Sequence, residues 1–211
     1  MYGLSCNPPS PTKMAPNNTT VYLIRHAQVH NPGKIVYGRL PGFQLSQVGR
    51  DQAEHLGSFL KMYHIDAIYS SPMERAQETA SYIAKHFLHL PVVIDDRLTE
   101  VYTPVEGSLQ SSLPKGDVYT KKFFDAGGER LEDIWSRMQS FLKDVCAQHA
   151  GKKIVSVSHG DPLMIVLAKY EHKELGLAAI RGPHCIRHAE GFVLTFTGVG
   201  VFVKIEPITA V

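Results

Sequence analysis

Two histidines stand where a histidine can do chemistry. His26 closes the run Val21-Tyr22-Leu23-Ile24-Arg25-His26-Ala27, and His159 closes the run Ile154-Val155-Ser156-Val157-Ser158-His159-Gly160. Both runs are β-branched and apolar, as buried parallel strands are, and tolerate charge only where the strand leaves the core. Arg25 and His26 therefore belong at a strand's carboxyl edge. In an open α/β sheet the carboxyl ends of neighbouring strands share one crevice, where ligands bind. The two histidines can meet there. Arg75 joins them, because the strand-like Asp66-Ala67-Ile68-Tyr69 runs into Ser70-Ser71-Pro72, where a hydroxyl cap and a proline announce a helix. Arg75 then lies in a first turn, where a helix already favours anions.

These residue types suit a phosphate dianion. A guanidinium offers a planar fork to two phosphate oxygens, and a neutral histidine is a competent nucleophile whose phosphorylation splits one hard displacement into two easier ones. An acid must then protonate the leaving alkoxide and later take a proton from water. Glu100, in the loop beyond Val92-Val93-Ile94, is assigned that role, with Glu106 in the same loop as the alternative. His184 and His188 flank Cys185 at a spacing that would hold zinc on a helix. Pro183 and the β-like Phe192-Val193-Leu194 argue for loop and strand instead, so no metal site is assigned, and His184 is left as a candidate for the pocket mouth.

The elements that must position these groups alternate along the chain. Ser46 is a plausible N-cap for a helix carrying Ala53, Leu56, Phe59 and Leu60 at helical spacing. Leu131, Ile134, Trp135, Met138, Phe141, Leu142 and Val145 mark one broad face of a second strong helix. A further helix runs from Pro162 to about Tyr170, and Phe192–Phe196 and Val199–Ile205 are closing strands. The segment from Val101 to Gly128 has no clean period and reads as an excursion over the crevice, with Tyr119 to Phe124 either a lid or a surface piece. Alternating strand and helix predict a three-layer α/β/α sandwich with a mainly parallel central sheet.

At 211 residues the chain suits one domain, expected over 19–211. Residues 1–18 are rich in Pro, Asn and Ser without an apolar core, and are expected to be a disordered tail. A net charge of +2 leaves no whole-protein field for nucleic acid or an anionic membrane. The three cysteines are odd in number and far apart, so reduced thiols and a cytoplasmic protein are the expectation. No run of about 18 apolar residues would span a membrane, and nothing in the chain speaks to oligomeric state.

Five segments in order resemble the histidine phosphatase superfamily, also called phosphoglycerate mutase-like. They are Leu23-Ile24-Arg25-His26-Ala27-Gln28, Ser70 through Ala80, Leu98-Thr99-Glu100, Gly127-Gly128-Glu129 and Val157-Ser158-His159-Gly160. The resemblance implies His26 as the phosphorylated nucleophile, Arg25, Arg75 and His159 as the phosphate cradle, Glu100 as proton donor, Gly160 as a close backbone N–H, and no metal or other cofactor. Three positions depart from the family pattern. Ala27 replaces a glycine. Asn31 stands one place before the usual phosphate-contacting asparagine, which is here Pro32. Asp161 follows Gly160 where a glycine or apolar residue is usual, and would repel phosphate unless a cation pairs with it. The leading expectation is a metal-independent phosphomonoesterase acting on small phosphorylated metabolites. Phosphoglycerate mutase chemistry, a protein-phosphohistidine phosphatase and a silent phosphate-binding module are the alternatives. Mutases of this family tend to carry larger insertions than the short span between Glu100 and Gly128.

Overall fold

Alternation along Thr19–Arg25, strand β1, decides the layers. Val21 and Leu23 face one hydrophobic cluster, and Tyr22 and Ile24 face another on the opposite side of the sheet. The computed structural model describes residues 18–113, 119–182 and 185–208. Nearly all of the expected N-terminal tail, together with Lys115, Pro183 and His184, lies outside the described residues.

The sheet has six strands in the order β3-β2-β4-β1-β5-β6. They are β1, β2 (Ala67–Ser70), β3 (Val92–Ile94), β4 (Lys153–Ser158), β5 (Gly191–Phe196) and β6 (Phe202–Pro207). The pairs β1–β4, β2–β4 and β2–β3 are parallel, while β5 pairs antiparallel with both β1 and β6. Helices α1 (Gln47–Leu60) and α2 (Glu74–Ala84) cover one face through Ala53, Leu56, Leu60, Ala76, Ala80 and Ile83. After the short α3 (Lys121–Asp125), helices α4 (Leu131–Gln148) and α5 (Gly160–Tyr170) cover the other through Ile134, Met138, Phe141, Leu163 and Val166. The short α6 (Leu177–Ile180) follows α5. This is the expected mainly parallel three-layer α/β/α sandwich.

Local details depart from the sequence expectations for physical reasons. Ser46 caps α1 as expected, its Oγ accepting from Gly49 N at 3.0 Å. The cap of α2 is Met73, which makes no side-chain cap bond; the Ser71 hydroxyl accepts from Met73 N at 3.3 Å and also meets His159 Nε2. Helix α5 begins at Gly160, two residues before Pro162, whose missing N–H costs nothing in a first turn. Strand β6 begins at Phe202, since Thr197 to Val201 close a turn (Thr197 N to Val201 O, 2.8 Å).

Two irregular segments join into one roof beyond the carboxyl ends of β1 and β4. Val36 N donates to Ser108 O at 2.8 Å, Gly107 N to Val36 O at 2.9 Å and Gln110 N to Lys34 O at 2.9 Å. The loop after β1 and the 101–113 excursion are therefore one structural unit. Under it, α1 presses its first turn onto the chain beyond His26. A Cβ on Gly49 would lie 2.0 Å from the Gln28 carbonyl oxygen, a backbone atom with no room to retreat. Gly49→Ala is expected to destabilise the fold by about 2 kcal/mol, read as a lower urea midpoint at unchanged slope. An unchanged midpoint would contradict this account of α1 docking.

Candidate active site

The parallel register sets Arg25 opposite Ser158, and His26 N donates to Ser158 O at 2.9 Å. The next residues on the two strands are the histidines, whose rings meet edge to face at 5.1 Å. Their partners settle the tautomers. His26 Nδ1 lies 2.8 Å from Ala27 O, a carbonyl that can only accept, so Nδ1 carries the proton and Nε2 keeps its lone pair. At His159, Nδ1 faces Arg75 Nη2 at 3.2 Å, a group that can only donate, so Nε2–H points to Ser71 Oγ at 2.7 Å. Both rings are buried, and burial first, then the neighbouring Arg75, holds each well below the ordinary histidine range. Both are neutral at pH 7.

Arg75 is 1 % exposed. Its Nε reaches His26 Nε2 at 3.3 Å and its Nη2 donates to Gly38 O at 2.7 Å, with the Tyr37 ring over the guanidinium at 4.7 Å. Arg25 Nη1 donates to Ile186 O at 2.8 Å and Nη2 to His188 Nε2 at 3.3 Å. Its buried Nε has no hydrogen-bond partner among the described residues. Gly160 leaves that flank open, because a Cβ there would meet the Arg25 guanidinium at 3.3 Å. Thr79 ties the parts together, accepting from Ala27 N at 3.0 Å and donating to Arg75 O at 2.7 Å. The Ala27 methyl is fully buried among the α1 and α2 side chains, so this departure from glycine is absorbed by packing.

Glu100 Oε2 stands 3.8 Å from His159 Nδ1, and Oε1 accepts from Val101 N at 2.9 Å. Burial, and then the charge of Asp161, raise its carboxyl above the ordinary range. Glu129, the acid of the Gly127-Gly128-Glu129 motif, clamps the backbone around it. Its carboxylate takes Arg39 Nη2 at 2.8 Å, Arg137 Nε at 2.8 Å and Tyr102 N at 3.0 Å, while Arg39 Nε donates to Glu100 O at 2.7 Å. Glu106 faces elsewhere, accepting from Arg39 N at 2.7 Å.

Of the residues expected at the site, the structure brings His26, His159, Arg75, Arg25, Glu100 and Gly160 together. Asn31 is not among them. Its amide closes a turn with both backbone groups of Ile35, at 2.9 and 3.1 Å, so both its oxygen and its nitrogen are engaged within the loop. Tyr37, Gly38, Ser71, Thr79 and His188 belong to the site without having been singled out for it. For Ser71 and Thr79 the signal was present, since both lie in the segment that carries Arg75. His188 is held down to about 4 by burial and by Arg25 and Arg75, and its Nε2 faces Arg25 Nη2.

His26, Glu100 and His159 offer ligand atoms within 4.8 Å of one another, a set that by type could hold a divalent cation. Arg75 already directs N–H groups at both imidazole lone pairs, and a second cation there would face its charge. The donor set as arranged fits an anion better than a metal. Outward from the histidines opens a cleft of about 470 Å³. Val36, Val105, Leu113, Phe123, Met164 and Ile180 supply much of its wall, and Arg181 and Asp161 lie on one side. Asp161 is paired with Arg181 at 2.5 Å, which supplies the cation its place beside a phosphate requires. Of the Tyr119–Phe124 piece, Tyr119 and Phe123 line this cleft and Lys121 and Lys122 face solvent.

A sheet edge bearing two neutral histidines, two arginines and a carboxyl group defines a phosphoryl-transfer site. Comparison with known proteins gives the family. Residues 21–204 match the model of the histidine phosphatase superfamily (branch 1), and the chain belongs to that family. Phosphoserine phosphatase 1 of Hydrogenobacter thermophilus is 32 % identical over 158 residues, covering 67 % of this chain and 71 % of its own. The phosphatase PhoE of Bacillus subtilis is 31 % identical over 156 residues, covering 72 % and 77 %. Among solved structures, Bacillus stearothermophilus YhfR superposes with a TM-score of 0.77 at 25 % identity, over 88 % of this chain and 94 % of its own. No helix among the described residues is long and apolar enough to cross a membrane.

Two outcomes follow from this geometry. In an NMR titration His26 and His159 stay neutral as the pH falls past about 6.5, where an unfolded chain takes up protons. The fold accordingly loses stability as pH drops below that value, because the unfolded state binds the extra protons. Either ring titrating near 6.5 would contradict the buried, arginine-flanked environment. Glu129→Gln frees the Glu100 backbone and should lower kcat on the order of 10²-fold, with a wild-type kcat as the contrary result.

Proposed function

We propose that the protein is a metal-independent phosphomonoesterase that works through phospho-His26. The observation that carries this reading is the arginine-rich contact around a nucleophilic lone pair. His26 Nε2 is unprotonated, Arg75 Nε lies 3.3 Å from it, and the buried Arg25 Nε lacks a partner among the described residues. A phosphate dianion would accept from both arginines and set its phosphorus against the His26 lone pair. The Gly38 carbonyl, which now takes Arg75 Nη2, gives way to a phosphate oxygen.

In the first step His26 Nε2 attacks phosphorus, the bond from phosphorus to the ester oxygen breaks, and Glu100 gives that oxygen its proton. In the second, ionised Glu100 takes a proton from water, whose oxygen attacks phosphorus. The nitrogen–phosphorus bond breaks, returning neutral His26 and free phosphate. The two arginines hold the three equatorial oxygens over which the transition state spreads its charge, and His159 fixes Arg75 Nη2 through its Nδ1 lone pair.

The cleft suggests which esters fit. Its wall is largely aliphatic and aromatic, with one charged pair, so a leaving group with an apolar body is held better than a bare polyol. That refines the broader class of small phosphorylated metabolites. The test is phosphate release in excess chelator from naphthyl phosphate, phosphoserine and a hexose phosphate. Release from the aryl ester that is fastest of the three and vanishes in His26→Ala supports the reading. No release from any of them, or release only after metal is added, would overturn it.

Glu100→Gln separates the roles further. Alkyl phosphates, whose alkoxides need protonation, should lose on the order of 10²-fold or more in kcat, and aryl phosphates far less. Equal losses on both would remove Glu100 from the proton-donor role.

A further inference from the structure

Asp161 is a carboxylate at a position where the family usually has none, and it is built into the cleft rather than tolerated there. It lies in the first turn of α5, two residues past His159, with its side chain 13 % accessible. Arg181, just beyond α6, reaches Oδ2 at 2.5 Å, and the Tyr119 hydroxyl donates to the same oxygen. Three separate pieces of chain thus converge on one carboxylate. Asp161, Tyr119, Arg181 and Glu100 all line the same cleft.

Two carboxyl groups in one shielded cleft do not both ionise readily, and their partners decide which holds the proton. Asp161 has a guanidinium and a hydroxyl, donors that stabilise a charge. Glu100 has one backbone N–H, from Val101, and no ion pair with a lysine or arginine among the described residues. The groups facing Glu100 come from every element around it: His26 from the end of β1, Arg75 from α2, His159 from the end of β4, Asp161 from α5, Arg181, Tyr37 and Tyr119. Both histidines are neutral and the tyrosines are uncharged at pH 7. Asp161 is the one anion of the set, opposed by two guanidiniums.

We infer that Asp161 is a positioning residue for the proton on Glu100: its charge keeps that carboxyl protonated and ready for the leaving oxygen, and Arg181 sets how strongly it does so. The inference rests on Glu100 being the proton donor, as proposed above. Raising of the Glu100 carboxyl by burial and by Asp161, against lowering by Arg75 and Arg181, agrees with it.

The test follows the Glu100 side-chain carboxyl by NMR in full-length protein labelled with ¹³C-glutamate, the signal being assigned by its loss in Glu100→Gln. Asp161→Asn should move the Glu100 titration to lower pH, on the order of one unit, and Arg181→Met should move it to higher pH. The alkaline limb of kcat on an alkyl phosphate should move the same two ways. Opposite displacements by two partners of one ion pair are not what general damage to the cleft would produce. If Asp161→Asn fails to fold, Asp161→Ser, which removes the same charge, takes its place with the same expected direction of shift. An unmoved titration in either variant, or the same direction in both, overturns the inference. Full activity of Glu100→Gln on alkyl phosphates would instead overturn the proton-donor reading, whatever the titrations show.

Discussion

A buried guanidinium without a carboxylate is the constraint on which this structure turns. Arg75 is 1 % exposed, and its partners are two neutral imidazoles and one carbonyl. Burying a charge without a counter-charge is expensive, and burial holds Arg75 below its ordinary value. The arrangement is understandable as a site awaiting an anion. Other features follow from it. Burial, and then this guanidinium, keep both histidines neutral, and the guanidinium turns their lone pairs inward and holds the Tyr37–Gly38 segment over them. Because β1, β4 and α2 all converge on this cation, the sheet order itself serves the anion site.

Carboxylates are kept off Arg75 by being given partners elsewhere. Glu129 is shared between Arg39 and Arg137, Glu106 is taken by the Arg39 backbone, and Asp161 by Arg181. Among the described residues, Glu100 alone approaches the histidines with no arginine on its carboxyl. The division of labour among these four acids, of which Glu100 and Asp161 line the cleft, is set by those pairings rather than by their positions along the chain.

Much of the architecture was legible in the sequence, because apolar strands that end in charge can occupy only one place in an α/β sheet. The runs ending at His26 and His159, the helix carrying Arg75 and the three-layer packing all rest on that pattern. Asn31 misled because its amide is engaged in a turn with Ile35 within an irregular loop, and no periodicity marks such a loop. Glu100 and Glu106 could not be told apart, since what separates them is Arg39, far away in the chain. Ser71 looked like a helix cap alone, and it accepts both from Met73 N at the helix start and from His159. Tyr37 and Gly38 could not be read from the chain at all: their position over Arg75 depends on the bonds that join two loops into one roof.

The central claim is that His26 Nε2 forms a bond to phosphorus. The most direct measurement is mass spectrometry of protein quenched at alkaline pH within milliseconds of mixing with an aryl phosphate. The account predicts one added phosphoryl group, labile in acid, that maps to the peptide containing His26. A modification on another residue, or turnover with no phosphorylated protein when phosphoenzyme breakdown is slowed, would contradict it.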